Sequence, residues 1–223
     1  MIKINSPADR AAERFGTALF IILSGGFQDA YTYCVRDNVF ANAQTGNIVL
    51  LSTAAFNGDM GGVVKYLIPV SAFILGILAA ETVHVKLGKS EKFHWRQAVL
   101  LAETVILFAV GFIPENLNYL ANAAVSFVCA LQVQSFHKIR GHAYASTMCI
   151  GNLRSGTEAL CTYIRTKDKV ILQKAATYFG VILVFAIGAG LGAVLSASLG
   201  NKAVWICCGL LTVSFAVMFK TDR

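Results

Sequence analysis

Ala43-Gln-Thr-Gly-Asn47 and Cys149-Ile-Gly-Asn-Leu-Arg154 are the two stretches whose reading decides the fold of this chain. Each sets a Gly-Asn pair, with polar neighbours, inside an apolar segment, and the pairs are separated by 105 residues. A helix-breaking polar motif at membrane depth is costly. Its repetition in both halves points to one site assembled from two related pieces.

The surrounding composition supplies the membrane. Of 223 residues, 56% are hydrophobic and 14% charged, with a mean hydropathy of +0.62, which excludes an ordinary soluble domain. Spans are expected at Thr17 to Val35, Val63 to Val85, Gln97 to Ile113, Tyr119 to Phe136, Ala175 to Leu199 and Ala203 to Phe219. Each is close to the roughly 20 residues of a crossing helix. Val39 to Phe56 and Ala143 to Tyr163 carry the Gly-Asn pairs. The polar Met1 to Arg14 tail does not read as a signal peptide, so the first apolar run is expected to remain as a span.

Charge placement chooses between two topologies. If all eight segments cross, Lys86, Lys89, Lys92 and Arg96 fall on the opposite side from Arg165, Lys167, Lys169 and Lys174, against the positive-inside rule. If the two Gly-Asn segments dip in and return, those clusters share the cytoplasmic side with Lys3, Arg10, Arg14, Lys138, Arg140, Lys220 and Arg223. The outer side is left with Arg36, Lys65 and Lys202. The expectation is an all-α polytopic membrane protein forming a single transmembrane domain over residues 1–223, with six transmembrane helices and two re-entrant or broken helices. Three crossings per half make residues 14–114 and 117–220 inverted repeats. Both termini are expected in the cytoplasm, beneath a bacterial inner membrane.

The repeat is visible in the residues. At the 105-residue offset Asp29 meets Gln134, Tyr31 meets Phe136 and Ala54 meets Ala159, and Phe73-Ile-Leu-Gly76 matches Phe185-Ala-Ile-Gly188 after a short insertion. Gly76 with Ala80 and Gly188 with Gly192 are spaced for close helix packing.

Candidate site residues follow from the cost of polarity in lipid. Gln28 and Asp29 interrupt the first span beside Gly25 and Gly26, and Gln132 and Gln134 are their amide counterparts. Such groups either line a cavity or tie helices together by hydrogen bonds. Asn47 and Asn152 are suited to cap half-helices whose positive ends lie at mid-membrane. Asn42, Gln44 and Thr45, with Ser146 and Thr147, add neutral hydrogen-bonding groups. Arg154 and Glu158 form a local i,i+4 pair, and Arg154 also attracts an anion or Asp29. Glu103 stands alone in its span, as a proton relay or facing a cavity, while His137 and His142 belong to a cytoplasmic edge. Tyr31, Trp95 and Trp205 read as interfacial aromatics. The six cysteines show no metal-binding or disulfide pattern and read as small buried hydrophobes.

Four motifs, Ser24-Gly-Gly-Phe-Gln-Asp-Ala30, Ala43-Gln-Thr-Gly-Asn47, Gln132-Val-Gln-Ser-Phe136 and Tyr144-Ala-Ser-Thr-Met-Cys-Ile-Gly-Asn-Leu-Arg154, agree in order and spacing with the YoaK family of bacterial membrane proteins, which the chain resembles from about Arg14 to its last span. The chain carries Ile150 where many relatives carry threonine. The resemblance implies a multi-span bacterial membrane protein and no substrate, since the family's function is unknown. The residues themselves point to a transporter of a small polar or anionic solute, bound near the bilayer midplane by Gln28, Asp29, Gln44, Thr45, Asn47, Gln132, Gln134, Asn152, Arg154 and Glu158. Asp29 is the residue expected to couple to protons. The alternatives are a passive channel or a non-transporting scaffold. No catalytic nucleophile, metal or cofactor is expected. The partners expected are the solute and the bilayer, with a homodimer possible through Gly- and Ala-rich spans and no nucleic acid.

Overall fold

The computed structural model describes residues 15–88, 95–139, 142–144, 147 and 149–221. The tail with Lys3, Arg10 and Arg14, and also Lys89, Lys92, Arg140, Ser146 and Arg223, lie outside the described residues. The fold is all-α. Its helices are α1 (Phe15–Val35), α2 (Gln44–Phe56), α3 (Met60–Leu87), α4 (Trp95–Val110), α5 (Asn118–Ser135), α6 (Cys149–Thr166), α7 (Lys169–Leu199) and α8 (Trp205–Thr221). Single 3-10 turns, Glu115–Leu117 and Gly200–Val204, precede α5 and α8. The stretches Met60–Leu87 and Lys169–Met218, with mean hydropathies of 2.1 and 2.3, are long and apolar enough to cross a membrane.

Two helical hairpins share one local design. Between α2 and α3 the chain turns at Gly58, whose φ of 72° is left-handed, and Asp59 then caps α3 by accepting from the Gly62 N–H at 3.0 Å. Between α6 and α7, Lys167 takes the left-handed turn at φ 58°, and Asp168 caps α7 by accepting from the Val170 N–H at 2.8 Å.

The helices pack in matched pairs. α1 lies along α7 and α5 along α3; α2 packs on α3 and α6 on α7; α1 packs on α8 and α5 on α4; α4 meets α8. Small residues set the closest crossings. A Cβ placed on Gly188 or Gly192 would run into the backbone of Leu23 or Phe27, so α1 and α7 advance side by side in the same direction. At the other crossing a Cβ on Gly76 would meet Phe127 O at 2.5 Å. Backbones approach this closely only where side chains are absent, which is how apolar helices associate without a hydrophobic driving force between them.

Polar staples fix the two ends of the bundle. At one end Arg36, fully buried, donates from Nε to Tyr31 Oη at 2.8 Å, from Nη1 to Asn118 Oδ1 at 2.9 Å and from Nη2 to Val110 O at 3.1 Å. The Tyr31 hydroxyl donates onward to Asn201 O at 3.1 Å, which joins α1 to the 3-10 turn between α7 and α8. At the other end Arg96 Nε donates to Ser135 O at 2.9 Å, and Ser214 Oγ to Thr17 O at 3.1 Å. Tyr31 and Trp95 are therefore core residues and not interfacial ones. Tyr31 is drawn inward because its hydroxyl has Arg36 and Asn201 to satisfy it.

From the Arg36 end the chain does not continue outward. Residues 36–43 fold back along α1: Phe40 stacks on Tyr33 at 4.8 Å between ring centroids, and Asn42 reaches Asp29 and Gly25 at the middle of the helix. α2 then starts at that depth. The second half repeats the manoeuvre from the Arg96 end. After α5, a two-residue antiparallel ladder pairs Lys138–Ile139 with His142–Ala143, and Thr147 arrives beside Gly25 just before α6 begins. The ladder is a feature the sequence pattern does not announce.

Candidate functional site

The starts of α2 and α6 meet at a cavity of about 740 Å³. Asp29 of α1, Asn42 to Thr45 at the start of α2, Phe73 of α3 and Phe185 of α7 line it, with Cys149 to Asn152 and Ser155 of α6. His137, Tyr144 and Thr147 close it from the segment before α6.

Asp29 holds the first wall in place. Its Oδ1 accepts from the Asn42 N–H at 2.7 Å, and the backbone N–H groups of Ala41 and Ala43 face the same carboxylate. Asn42 Nδ2 donates in turn to Gly25 O at 3.0 Å. The N-cap of α2 is Ala43, which offers no side-chain acceptor. Asp29 therefore supplies from another helix the negative charge that a positive helix end favours.

Asn47 does not cap, contrary to expectation. It lies four residues into α2, where Nδ2 donates to Phe40 O at 2.7 Å and Oδ1 accepts from the Phe40 N–H at 3.3 Å. The amide thus replaces a strand neighbour for the returning segment. A second bond from Nδ2, to Gln44 Oε1 at 3.0 Å, locks the side chain. Gly46 leaves room for the Phe40 ring, which would lie 3.2 Å from an added Cβ. Asn152 holds the same position in α6 and is buried at the cavity wall, but nothing lies within 4 Å of the Cβ position of Gly151.

Of the ten residues singled out in the sequence, Asp29, Gln44, Thr45 and Asn152 line the cavity. Gln28 and Gln132 are buried between helices. Gln28 donates to Ser24 Oγ at 3.0 Å and accepts from the Cys129 thiol at 3.2 Å, while Gln132 donates to Ile21 O at 3.1 Å. Gln134 bonds Glu81 of α3. Arg154 and Glu158 pair with each other at 2.9 Å, their side chains 79% and 63% exposed, and Arg154 does not reach Asp29.

The cavity also holds residues that the sequence reading passed over or placed elsewhere. His137 lines it with Nδ1 against Gln134 O at 2.9 Å and remains exposed, as its expected place at an edge suggests. Phe73 and Phe185 were visible as the first residues of the matching Phe-x-x-Gly runs, a signal read for the repeat and for helix packing but not for a cavity.

A bundle of this kind, helical throughout and with long apolar helices, fits an integral membrane protein. The chain belongs to the family described as "Protein of unknown function (DUF1275)", whose model matches residues 17–217. It is 25% identical over 208 residues to the UPF0700 transmembrane protein YoaK of Bacillus subtilis (strain 168), covering 88% of this chain and 90% of that protein. No solved structure matches it.

Proposed function

We propose that the protein is a membrane transporter of a small polar solute, bound in the cavity between two inverted halves. One observation carries the reading: eight of the fifteen described lining residues fall into four pairs. Asn42 and Thr147, Gln44 and Cys149, and Thr45 and Ile150 are related by the 105-residue offset, and Phe73 and Phe185 by the matching Phe-x-x-Gly runs. The packing supports the same division, because exchanging α1–α4 for α5–α8 carries each main helix contact onto another.

The reading places six crossings at α1, α3, α4, α5, α7 and α8, with α2 and α6 as re-entrant half-helices entering from opposite faces. α2 has 13 residues, about 20 Å of helix against the roughly 30 Å of a hydrocarbon core, which supports a helix that starts at mid-depth. With both termini in the cytoplasm, the fold-back of residues 36–43 opens from the outer face and that of 136–148 from the inner. Two helix starts then offer their positive ends to acceptor oxygens of the solute, Asn42, Gln44 and Asn152 supply neutral hydrogen bonds, and Phe73 and Phe185 cover its apolar part. Among the described residues no lysine or arginine lines the cavity, so the charge preference for an anion rests on the helix ends. Transport is preferred to catalysis because His137, bonded to Gln134 O, makes no hydrogen bond with Cys149 among the described residues.

Cys149 supplies the test. In sealed vesicles carrying the full chain, with the exposed Cys34 and Cys161 changed to serine, a membrane-impermeant methanethiosulfonate is expected to label Cys149 from either face. Labelling from one face alone would fit a vestibule or an anchored scaffold and would remove the transporter reading.

A further inference from the structure

The polar groups inside this bundle are largely spent on one another. Asp29 is engaged by the Asn42 N–H, Gln28 by Ser24 and Cys129, and Asn47 by Phe40. Glu103 is different. It occupies the face of α4 that also carries Leu100, Leu107 and Val110, all members of the main core, and it is 0% exposed. Neither of its carboxyl oxygens has a hydrogen-bond partner.

Its surroundings are graded in polarity. From α5, Cys129 lies within electrostatic range of Glu103, and equally of Asp29 on α1 and Cys207 on α8. The Cys129 thiol donates to Gln28 Oε1, and Gln28 precedes Asp29, a residue of the cavity wall. Cys129 is thus near Glu103 and bonded to Gln28, the neighbour in sequence of a cavity-wall residue. α5 also carries Ser126 Oγ and Gln132 Oε1, both buried and unpartnered. Cys208 of α8 is occupied with Thr104 O and Val204 O, and His84 of α3 stacks on Trp95 at the far start of α4. The buried cations are committed at the two bundle ends, Arg36 to Tyr31, Asn118 and Val110 and Arg96 to Ser135. A carboxylate left alone in such a medium is strongly disfavoured against its neutral acid, and an ionisable group retained at this depth is a functional site by default.

We propose that Glu103 is the proton-binding site of this protein. In the closed arrangement it holds its proton as a neutral acid; when the bundle moves and water reaches the core, the O–H bond breaks, the proton passes to water and the carboxylate remains until a proton returns. This names the coupling ion for the transport reading on which its purpose rests. Its occurrence is measurable with no solute present. The role expected of Asp29 moves to Glu103, because Asp29 is tied to the backbone at the start of α2.

Infrared difference spectra of the full chain in lipid nanodiscs, recorded across a step from acid to alkaline buffer, test it directly. The carbonyl stretch of a protonated carboxyl is expected in the wild type, lost on the alkaline side, missing at both pH values in Glu103→Gln, and retained in Asp29→Asn. Glu103→Gln preserves shape and neutrality, so it is expected to fold at least as well as the wild type. A band unchanged by Glu103→Gln overturns the proposal. So does a band indifferent to pH, which marks a fixed structural acid, or one abolished by sodium at constant pH, which marks a metal-cation site. If the band behaves as expected while Cys149 labels from one face only, the proton site stands and the transporter reading falls.

Discussion

The starts of α2 and α6 face one cavity in the same register, and their motif glycines meet different surroundings. α2 is held by two of its own side chains and one from α1: Asn47 grips Phe40, Gln44 donates to Ala41 O at 2.8 Å, and Asp29 of α1 draws in the backbone around Asn42. α6 is approached through a small strand ladder, and among the described residues its Gly151 stands against open space where Gly46 stands against a phenyl ring. The motif glycine is therefore packed in one copy and open in the other. Sequence symmetry marks where a site is built without fixing how each glycine in it is used.

The comparison is easiest to break at the helix crossings, where the halves are expected to respond alike. Gly188→Leu and Gly76→Leu each push a side chain into a facing backbone, and each is expected to cost about 3 kcal/mol or more, at the upper end of overpacking penalties. Thermal unfolding in detergent reads this; a large effect at one crossing only would break the equivalence of the halves. Next comes the difference between the two motif glycines. Gly151→Leu is expected to leave the melting temperature close to wild type, since leucine favours helix and meets nothing, yet to reduce Cys149 labelling and any solute flux to background. Gly46→Leu is expected to do the reverse, lowering stability by displacing Phe40.

Asn47→Ala sharpens the account of the first wall. Removing the amide leaves the Phe40 N–H and C=O without their partners, a loss of about 1–3 kcal/mol with faster amide hydrogen exchange at Phe40. The smallest effect belongs to Arg154→Gln. An exposed i,i+4 pair is worth about 0.5 kcal/mol or less, so neither melting temperature nor Cys149 labelling should move measurably.

Helix content and the membrane setting were legible because composition and apolar run length report them directly, and the match of Gly-Asn runs located both helix starts; the matching Phe-x-x-Gly runs marked the repeat without announcing that Phe73 and Phe185 wall the cavity. What sequence hid was direction. Gln28 and Asp29 are neighbours, yet a 100° turn sends one into the α5 interface and the other to the cavity, and no pattern around them says which. Asn47 was misread as a cap for a related reason. Capping is a local rule, and here the acceptor came from another helix. His137 read as an edge residue and is exposed there, but nothing in the sequence announced that this edge borders the cavity.

Arg36 carries a last consequence, for assembly. In the proposed topology it is a charge on the outer side that the positive-inside rule would count against; in the folded protein Tyr31, Asn118 and Val110 consume its guanidinium. Two of those partners lie at the end of α4 and the start of α5. As the chain is threaded into the bilayer, the first helix thus arrives long before two of the acceptors that satisfy its end. Its insertion is provisional, and the first half of the protein cannot be finished until the second has begun.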